Sequence, residues 1–234
     1  MEFEQALQQG IFLRRYKRFL VDMVNAQGEL ITVHCPNTGS MKNCLAPDTP
    51  CWYSQATNVK RKYPHTLEIV TTLAGHLAGI NTLRANALVA EGVSNGLITQ
   101  LQGYDTCRAE VVYGLENSRA DFVLEAANRA KCVVEVKNVT LLDAGQGYFP
   151  DAISLRGSKH LRELIHVVSN GERAVLIFCV QHQGITSVAP AEHIDAAYAK
   201  LCGQARQAGV EFYAFQATLS PDGIKLCREI PVLL

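Results

Sequence analysis

In the first part of the chain, apolar and polar residues alternate in short runs. These cover Phe12–Asn25, Glu29–Cys35, Cys51–Gln55, Thr66–Leu73 and His76–Asn81, with Gly28 and Gly75 between runs. A period of two bounded by turn residues predicts strands. Five such strands with little helix predict a small barrel of the OB type. From Asn81 and Thr82 the period lengthens. Leu83, Ala87 and Leu88 would share a helical face ended near Gly92, and Leu97 and Leu101 would sit on a second short helix. Three strand-like runs follow, Cys107–Tyr113, Arg119–Leu124 and Cys132–Val136, then a Gly- and Pro-bearing loop at Asp143–Pro150. Leu161, Leu164, Ile165 and Val168 mark an amphipathic helix stopped by Gly171. Arg173–Val180 reads as a buried strand, and Ile194, Tyr198, Leu201 and Ala205 as a helical face ended by Gly209. Val210–Gln216 and Ile224–Arg228 read as the last strands. The pattern predicts a β-barrel over 1–81 followed by an α/β layer structure over 82–234.

Composition refines this picture. With 48% hydrophobic and 19% charged residues the 234-residue chain can bury a core, and it is not of the disordered class. The formal net charge is zero. Residues 1–84 carry nine Lys/Arg against six Asp/Glu, and the remainder thirteen against sixteen. A nucleic-acid surface would therefore have to be a local patch. The eight cysteines include no C-x-x-C pair, which argues against a zinc ribbon or a thioredoxin-type motif. Cys132 and Cys179 lie in apolar runs and read as small core residues. Met-Glu-Phe-Glu at the start lacks the basic and apolar regions of a signal peptide. No apolar run reaches the ~18 residues of a membrane span. Free thiols in a reducing cytoplasm are the expectation.

The chemistry concentrates between Glu110 and Lys137. Glu110 lies in A-E-V-V-Y-G, Asp121 in R-A-D-F-V-L-E, and Glu135 and Lys137 in C-V-V-E-V-K. Residues i and i+2 of a strand share a face, so Glu135 and Lys137 project together while Val134 and Val136 project oppositely. If the two runs pair as a hairpin, Asp121 reaches the same place. Two carboxylates beside a lysine suit Mg²⁺ or Mn²⁺ and a substrate phosphate. The lysine would neutralise charge that builds on the phosphate. An Asp followed by Glu-x-Lys on the next strand resembles the pattern of PD-(D/E)xK nucleases. The same residues are also compatible with a solvated ion pair on an edge strand.

Two basic clusters lie in the β-rich part: Arg14, Arg15, Tyr16, Lys17 and Arg18, and Lys60, Arg61 and Lys62. On an OB surface such residues contact phosphates, and aromatics stack on bases. If the first cluster lies within one strand, Phe19 and Val21 face one way and Tyr16 and Arg18 the other. The loop Cys35–Met41 contains Pro36, Asn37, Thr38 and Gly39, and is equally an ordinary tight turn or an anion-binding nest of amides. Arg156, Lys159 and His160 share one helical face after the Glu-x-Lys strand, where they would face phosphate.

Seven separated motifs resemble the sugar fermentation stimulation protein A family of bacteria and archaea. They are R-Y-K-R-F at 15–19, H-C-P-N-T-G-S-M at 34–41, R-K-Y-P-H-T at 61–66, S-R-A-D-F at 118–122, V-E-V-K-N-V-T-L at 134–141, G-Y-F-P-D-A at 147–152 and R-G-S-K-H-L-R-E-L at 156–164. The resemblance implies an N-terminal OB-fold, a PD-(D/E)xK nuclease-like second domain and DNA binding without sequence preference. It also implies a genetic link to maltose and sugar metabolism. Its metal positions would fall on Asp121 and Glu135, with Lys137 as the basic partner and Glu110 as an extra acid. Three functions stay open: a Mg²⁺-dependent nuclease, a DNA-binding regulator that keeps the fold without cutting, and a sugar-linked protein that meets DNA incidentally. No helix-turn-helix signature supports sequence-specific regulation, and the oligomeric state is not legible.

Overall fold

A computed structural model describes residues 1–56 and 61–234. The first strands are β1 Gln8–Tyr16, β2 Leu20–Asn25, β3 Leu30–His34, β4 Thr49–Gln55, β5 His65–Thr71 and β6 Leu77–Gly79. They pair in the order β3-β2-β1-β4-β5-β6, and a parallel bridge from His34 to Thr66 joins β3 to β5. That bridge closes five strands into the expected OB-like barrel, with β6 added at its side. Phe12, Val21, Met23, Val33, Cys51, Tyr53 and Leu67 fill the interior.

The expected single strand Phe12–Asn25 is a hairpin instead. Lys17 and Arg18 take left-handed backbone angles (φ 48 and 61), and Tyr16 pairs with Leu20. Alternation therefore does not run through the turn, and Phe19 is exposed rather than aligned with buried Val21.

Next come α1 Arg84–Ser94, a single 3₁₀ turn at Thr99–Leu101, β7 Thr106–Tyr113, β8 Ser118–Glu125, β9 Cys132–Val139, β10 Leu141–Asp143, β11 Gln146–Phe149 and α2 Leu155–Ser169. After these lie β12 Arg173–Val180, β13 Val188–Pro190, α3 Ala196–Ala208, β14 Glu211–Ser220 and β15 Gly223–Ile230. Helix α1 buries Ala85, Leu88, Val89 and Gly92, while Leu83 is exposed, so its inward face differs from the expected one. Gly92 does not end the helix. A Cβ there would come within 3.1–3.2 Å of the Ile98 and Leu226 side chains, so the glycine suits the close packing of the helix at this point. The expected loop Asp143–Pro150 holds the end of β10 and all of β11, which form a small sheet with β13. Its partner strand lies far along the chain, so no local pattern announces it.

The main sheet has the order β15-β14-β12-β9-β8-β7. β9, β12 and β14 run parallel, connected through α2 and α3, and antiparallel hairpins flank them. Central β12 is a nearly continuous buried apolar run, as parallel strands covered on both faces require. On one face Val134, Val136, Val175 and Ile177 pack with α1 residues and with Leu7 and Ile69 from the N-terminal part. On the other, Val133, Val139, Leu176 and Phe178 pack against Leu161 and Leu164 of α2 and Tyr198 and Cys202 of α3. The barrel and the α/β part also share backbone hydrogen bonds, Gly79 N–H to Gln181 O and Gln183 N–H to Leu77 O. All eight cysteines are unpaired, and Cys132 and Cys179 are fully buried. Among the described residues no helix is long and apolar enough to cross a membrane.

One carboxylate starts both helices of the second face. Asp195 Oδ1 accepts the Tyr198 N–H at 3.0 Å as the N-cap of α3, and Oδ2 accepts the Ser154 N–H at 2.9 Å where α2 begins. Ser154 in turn caps α2 through the Gly157 N–H. Replacing a buried cap leaves orphan amides, so Asp195→Ala should cost about 1–3 kcal/mol. Urea denaturation should show a lower midpoint at an unchanged slope, and an unchanged midpoint would contradict the double cap.

Candidate functional site

Strands β8 and β9 pair at Phe122–Val134, Val123–Val133 and Leu124–Cys132, and the ladder ends there. Continuing that register would set Asp121 opposite Glu135. Instead the Asp121 side chain enters the gap, and its Oδ2 accepts the Val136 N–H at 2.7 Å. A carboxylate thus replaces the carbonyl that a neighbouring strand would supply. Its other oxygen, Oδ1, accepts from Asn86 Nδ2 of α1 at 2.8 Å.

Glu135 is fully buried, on the face of β9 that meets α2. Its Oε1 accepts from the Tyr113 hydroxyl of β7 at 3.0 Å. Its Oε2 lies 2.6 Å from His160 Nδ1 and 3.1 Å from Lys137 Nζ. The Lys137 Nζ is also 3.0 Å from His160 Nδ1, and Arg156 Nε is 3.4 Å from His160 Nε2. The Glu135 and Arg156 contacts fit the tautomer with the proton on Nδ1, which donates to Glu135 while Nε2 faces the Arg156 donor, so the Lys137 ammonium beside Nδ1 donates its hydrogen bond to Glu135 and not to the ring. The solvated-pair reading fails, because a fully buried carboxylate needs such partners.

The two acids titrate in opposite directions. Burial, and then the nearby Glu135 charge, push the Asp121 carboxyl above its ordinary value. Burial also pushes Glu135 upward, but His160 and Lys137 outweigh it and hold the carboxyl below the usual range. Burial and the Glu135 charge raise the Tyr113 hydroxyl, which stays protonated and donating.

Among the described residues Glu110 has no ladder partner and no side-chain hydrogen bond. It is exposed on β7 with φ 55, between the paired positions Ala109–Phe122 and Val111–Ala120, and so stands across from Asp121. A left-handed glutamate within a strand is a local strain of the kind that accompanies functional sites. Among the described residues no three His, Cys, Asp or Glu side chains converge into a metal cage.

Lys137 and Asn86 open onto a cleft of about 500 Å³ between the barrel and the α/β part. Arg18, Thr38 and Gly39 line it from the barrel, and Asn138, Tyr148 and Asp151 from the other side.

The basic residues divide. Arg18 faces this cleft, and Lys17 is exposed at the hairpin turn beside it. Arg14 is exposed but ion-paired with Asp22 at 2.9 Å, and its guanidinium lies 5.4 Å from the centre of the Tyr16 ring. The Tyr16 hydroxyl donates to the same Asp22, which leaves that ring committed. Arg15 is turned inward onto the backbone carbonyls of residues 18, 37, 39 and 40. Arg61 and Lys62 are exposed on the barrel, and Lys60 lies outside the described residues. On α2, Arg156 is exposed, while Lys159 donates to the Glu116 carbonyl. His160 is a correction: it is buried against Glu135 rather than facing phosphate. Helical periodicity puts it on the same face as Arg156, but that face looks into the sheet at this level.

Sequence reasoning missed Asn86 and Tyr113. Asn86 binds a carboxylate 35 positions away, and no spacing rule links the two. Tyr113 looked like any strand aromatic.

Comparisons with known proteins cover the whole chain. Residues 83–223 match the family model described as "Sugar fermentation stimulation protein RE domain", and residues 13–80 match "SfsA N-terminal OB domain". A sugar fermentation stimulation protein homolog of Shewanella loihica is 56% identical over 234 residues, covering 100% of both chains. A homolog of the same name from Shewanella sp. strain MR-7 is 56% identical over 232 residues, covering 99% of each. A solved structure of Pyrococcus furiosus SfsA in complex with Ca²⁺ superposes with a TM-score of 0.87 at 26% identity, covering 100% of this chain and 98% of that one.

The two carboxylates should respond oppositely to neutralisation in a divalent-free buffer at neutral pH. Asp121 has a raised folded-state value, so its ionisation costs stability above that value. Asp121→Asn should therefore raise the urea midpoint. Glu135 has a lowered value, so its contribution is present above the unfolded carboxylate range and lost as pH falls through the folded one. Glu135→Gln should cost about 1–3 kcal/mol at neutral pH, and the difference from wild type should vanish on acidification below that range. Destabilisation by both substitutions would show that the site carries no excess of negative charge.

Proposed function

Since the chain belongs to the sugar fermentation stimulation protein family, we propose that it binds nucleic acid without sequence preference and hydrolyses phosphodiester bonds with a divalent cation. The observation that carries this reading is the meeting of half-buried Asp121 and fully buried Glu135 with Lys137, which lines the cleft.

The residues fit a small hard cation. Asp121 and Glu135 would hold it through carboxylate oxygens, and each Asp121 oxygen keeps a lone pair beyond its single neutral donor. The unfavourable burial of the Asp121 charge is what a cation beside it would relieve. Two carboxylates without a third protein ligand suit Mg²⁺ or Mn²⁺, which complete their shell with water and substrate phosphate. The Pyrococcus furiosus relative was solved with Ca²⁺, which supports a divalent ion here. When bound, the cation supplies a more acidic water and a polarised phosphoryl oxygen.

The chain's own groups do the rest. Tyr113 and His160 fix the two oxygens of Glu135, so its carboxylate cannot rotate. Asn86 and the Val136 amide do the same for Asp121. Lys137 lines the cleft with its ammonium held on Glu135, and from there it would neutralise charge developing on the phosphate. Glu110 adds an exposed carboxylate across from Asp121, within the same strand pair. Lys17, Arg18, Arg61, Lys62 and Arg156 supply phosphate contacts on the barrel and α2.

A binding protein that never cuts is the second reading. It is favoured by the complete engagement of Glu135, whose oxygens already have three protein partners.

Cleavage of labelled single- and double-stranded DNA in Mg²⁺ or Mn²⁺ separates the two. Lys137→Ala should lower the rate by about 10²–10³-fold, because its charge acts mainly in the transition state. Affinity measured in Ca²⁺ should stay within a few-fold of wild type, since one lysine is a small part of the phosphate contacts. If pure wild-type protein cuts neither DNA nor RNA with any divalent ion, the hydrolytic reading fails and the binding reading stands.

A further inference from the structure

The loop between β3 and β4 lines the cleft together with Lys137. Its conformation is set by Arg15. The guanidinium donates to the carbonyls of Asn37 at 2.8 Å, Gly39 at 3.0 Å and Ser40 at 3.3 Å, and through Nε to that of Arg18 at 2.8 Å. In a planar trans peptide the carbonyl of one residue and the N–H of the next point in opposite directions. Gathering three loop carbonyls on one cation therefore turns the amides of Thr38, Ser40 and Met41 away from it.

The Met41 amide shows what they meet. It donates to Asp151 Oδ2 at 3.0 Å, and Asp151 lines the cleft. Ser40 Oγ donates to the same carboxylate oxygen at 3.2 Å. The loop already binds one anion with this side. The amides of Thr38 and Ser40 donate to no acceptor among the described residues. Gly39 lets the carboxylate approach, since a side chain there would meet Asp151 at 2.6 Å and the Asn37 side chain at 3.0 Å.

The charged residues lining this cleft are Arg18, Lys137 and Asp151, two cations against one carboxylate that is hydrogen-bonded by the loop. Free amides backed by an arginine on the carbonyl side form an anion site. Lys137 on the opposite wall points to a phosphate as the anion.

We propose that loop 37–41 of the barrel is a phosphate clamp, in which the Thr38 and Ser40 amides and Arg18 hold a backbone phosphate of the nucleic-acid strand that passes Lys137. This rests on the nucleic-acid reading above. It makes the barrel a wall of the candidate active site and not a separate binding module. Arg15 is a positioning residue: it touches no phosphate and acts by orienting the loop.

The test is the amide spectrum of the full ¹⁵N-labelled chain in Ca²⁺, titrated with a single-stranded oligothymidylate and, separately, with inorganic phosphate. The Thr38 and Ser40 resonances should move together and saturate with the oligonucleotide at a concentration at least tenfold lower than with phosphate. Arg18→Gln should weaken oligonucleotide binding and lower the slope of log affinity against log salt by about 0.7, while Arg14→Ala leaves the Thr38 and Ser40 shifts in place. Arg15→Met should abolish the two shifts, and Arg15→Lys should restore part of them.

If neither resonance moves with either probe, the clamp is overturned. If both move equally at equal concentrations of the two probes, the loop is a free-phosphate site and the nucleic-acid assignment is overturned. Cleavage by wild type without these shifts would remove the clamp and keep the hydrolytic reading. Shifts without cleavage would keep the clamp and remove hydrolysis.

Discussion

A fully buried glutamate in the middle of a β-sheet organises much of this molecule. Desolvating Glu135 would be prohibitive without partners, and three elements supply them. Tyr113 comes from the outer strand, Lys137 from the same strand, and His160 from the helix that covers the sheet. The placement of α2 follows, because His160 must reach the strand. The start of α2 is fixed by the carboxylate of Asp195, which also starts α3. Asp121 adds a second negative charge with only neutral hydrogen-bond donors, which leaves a local excess of charge inside the protein. Two carboxylates this close beside one lysine are the physical reason for reading the pair as a cation site.

The legible part of the sequence was the part carried by short-range geometry. The i, i+2 spacing put Glu135 and Lys137 on one face, and a hairpin brought Asp121 to them. Barrel strands followed from alternation, and β12 from an unbroken apolar run. Features that depend on distant partners were hidden. Asn86 reaches the site from α1, and the strands at 141–149 pair with one near residue 189. Arg15 looked like a phosphate contact because its neighbours are basic, yet its donors are used by loop carbonyls. Alternation failed at Lys17 and Arg18 because two left-handed residues reverse the chain there, and neither is a glycine or asparagine that would have signalled it.

The barrel and the α/β part are linked through the cleft as well as through their cores. The loop that Arg15 shapes is hydrogen-bonded to Asp151, and neighbouring Asn43 and Cys44 donate to the carbonyls of Leu142 and Thr140 just after the Glu-x-Lys strand. A strand of nucleic acid entering this cleft would meet basic side chains from the barrel and the lysine of the other part at once.

The central claim is that Asp121 and Glu135 together form a divalent-cation site. Crystals of the full chain soaked in Mn²⁺ and measured at the manganese absorption edge test it most directly. The account predicts an anomalous peak in contact with both carboxylates, absent from Asp121→Asn crystals. Manganese bound elsewhere, with Glu135 still held only by Tyr113, Lys137 and His160, would contradict it.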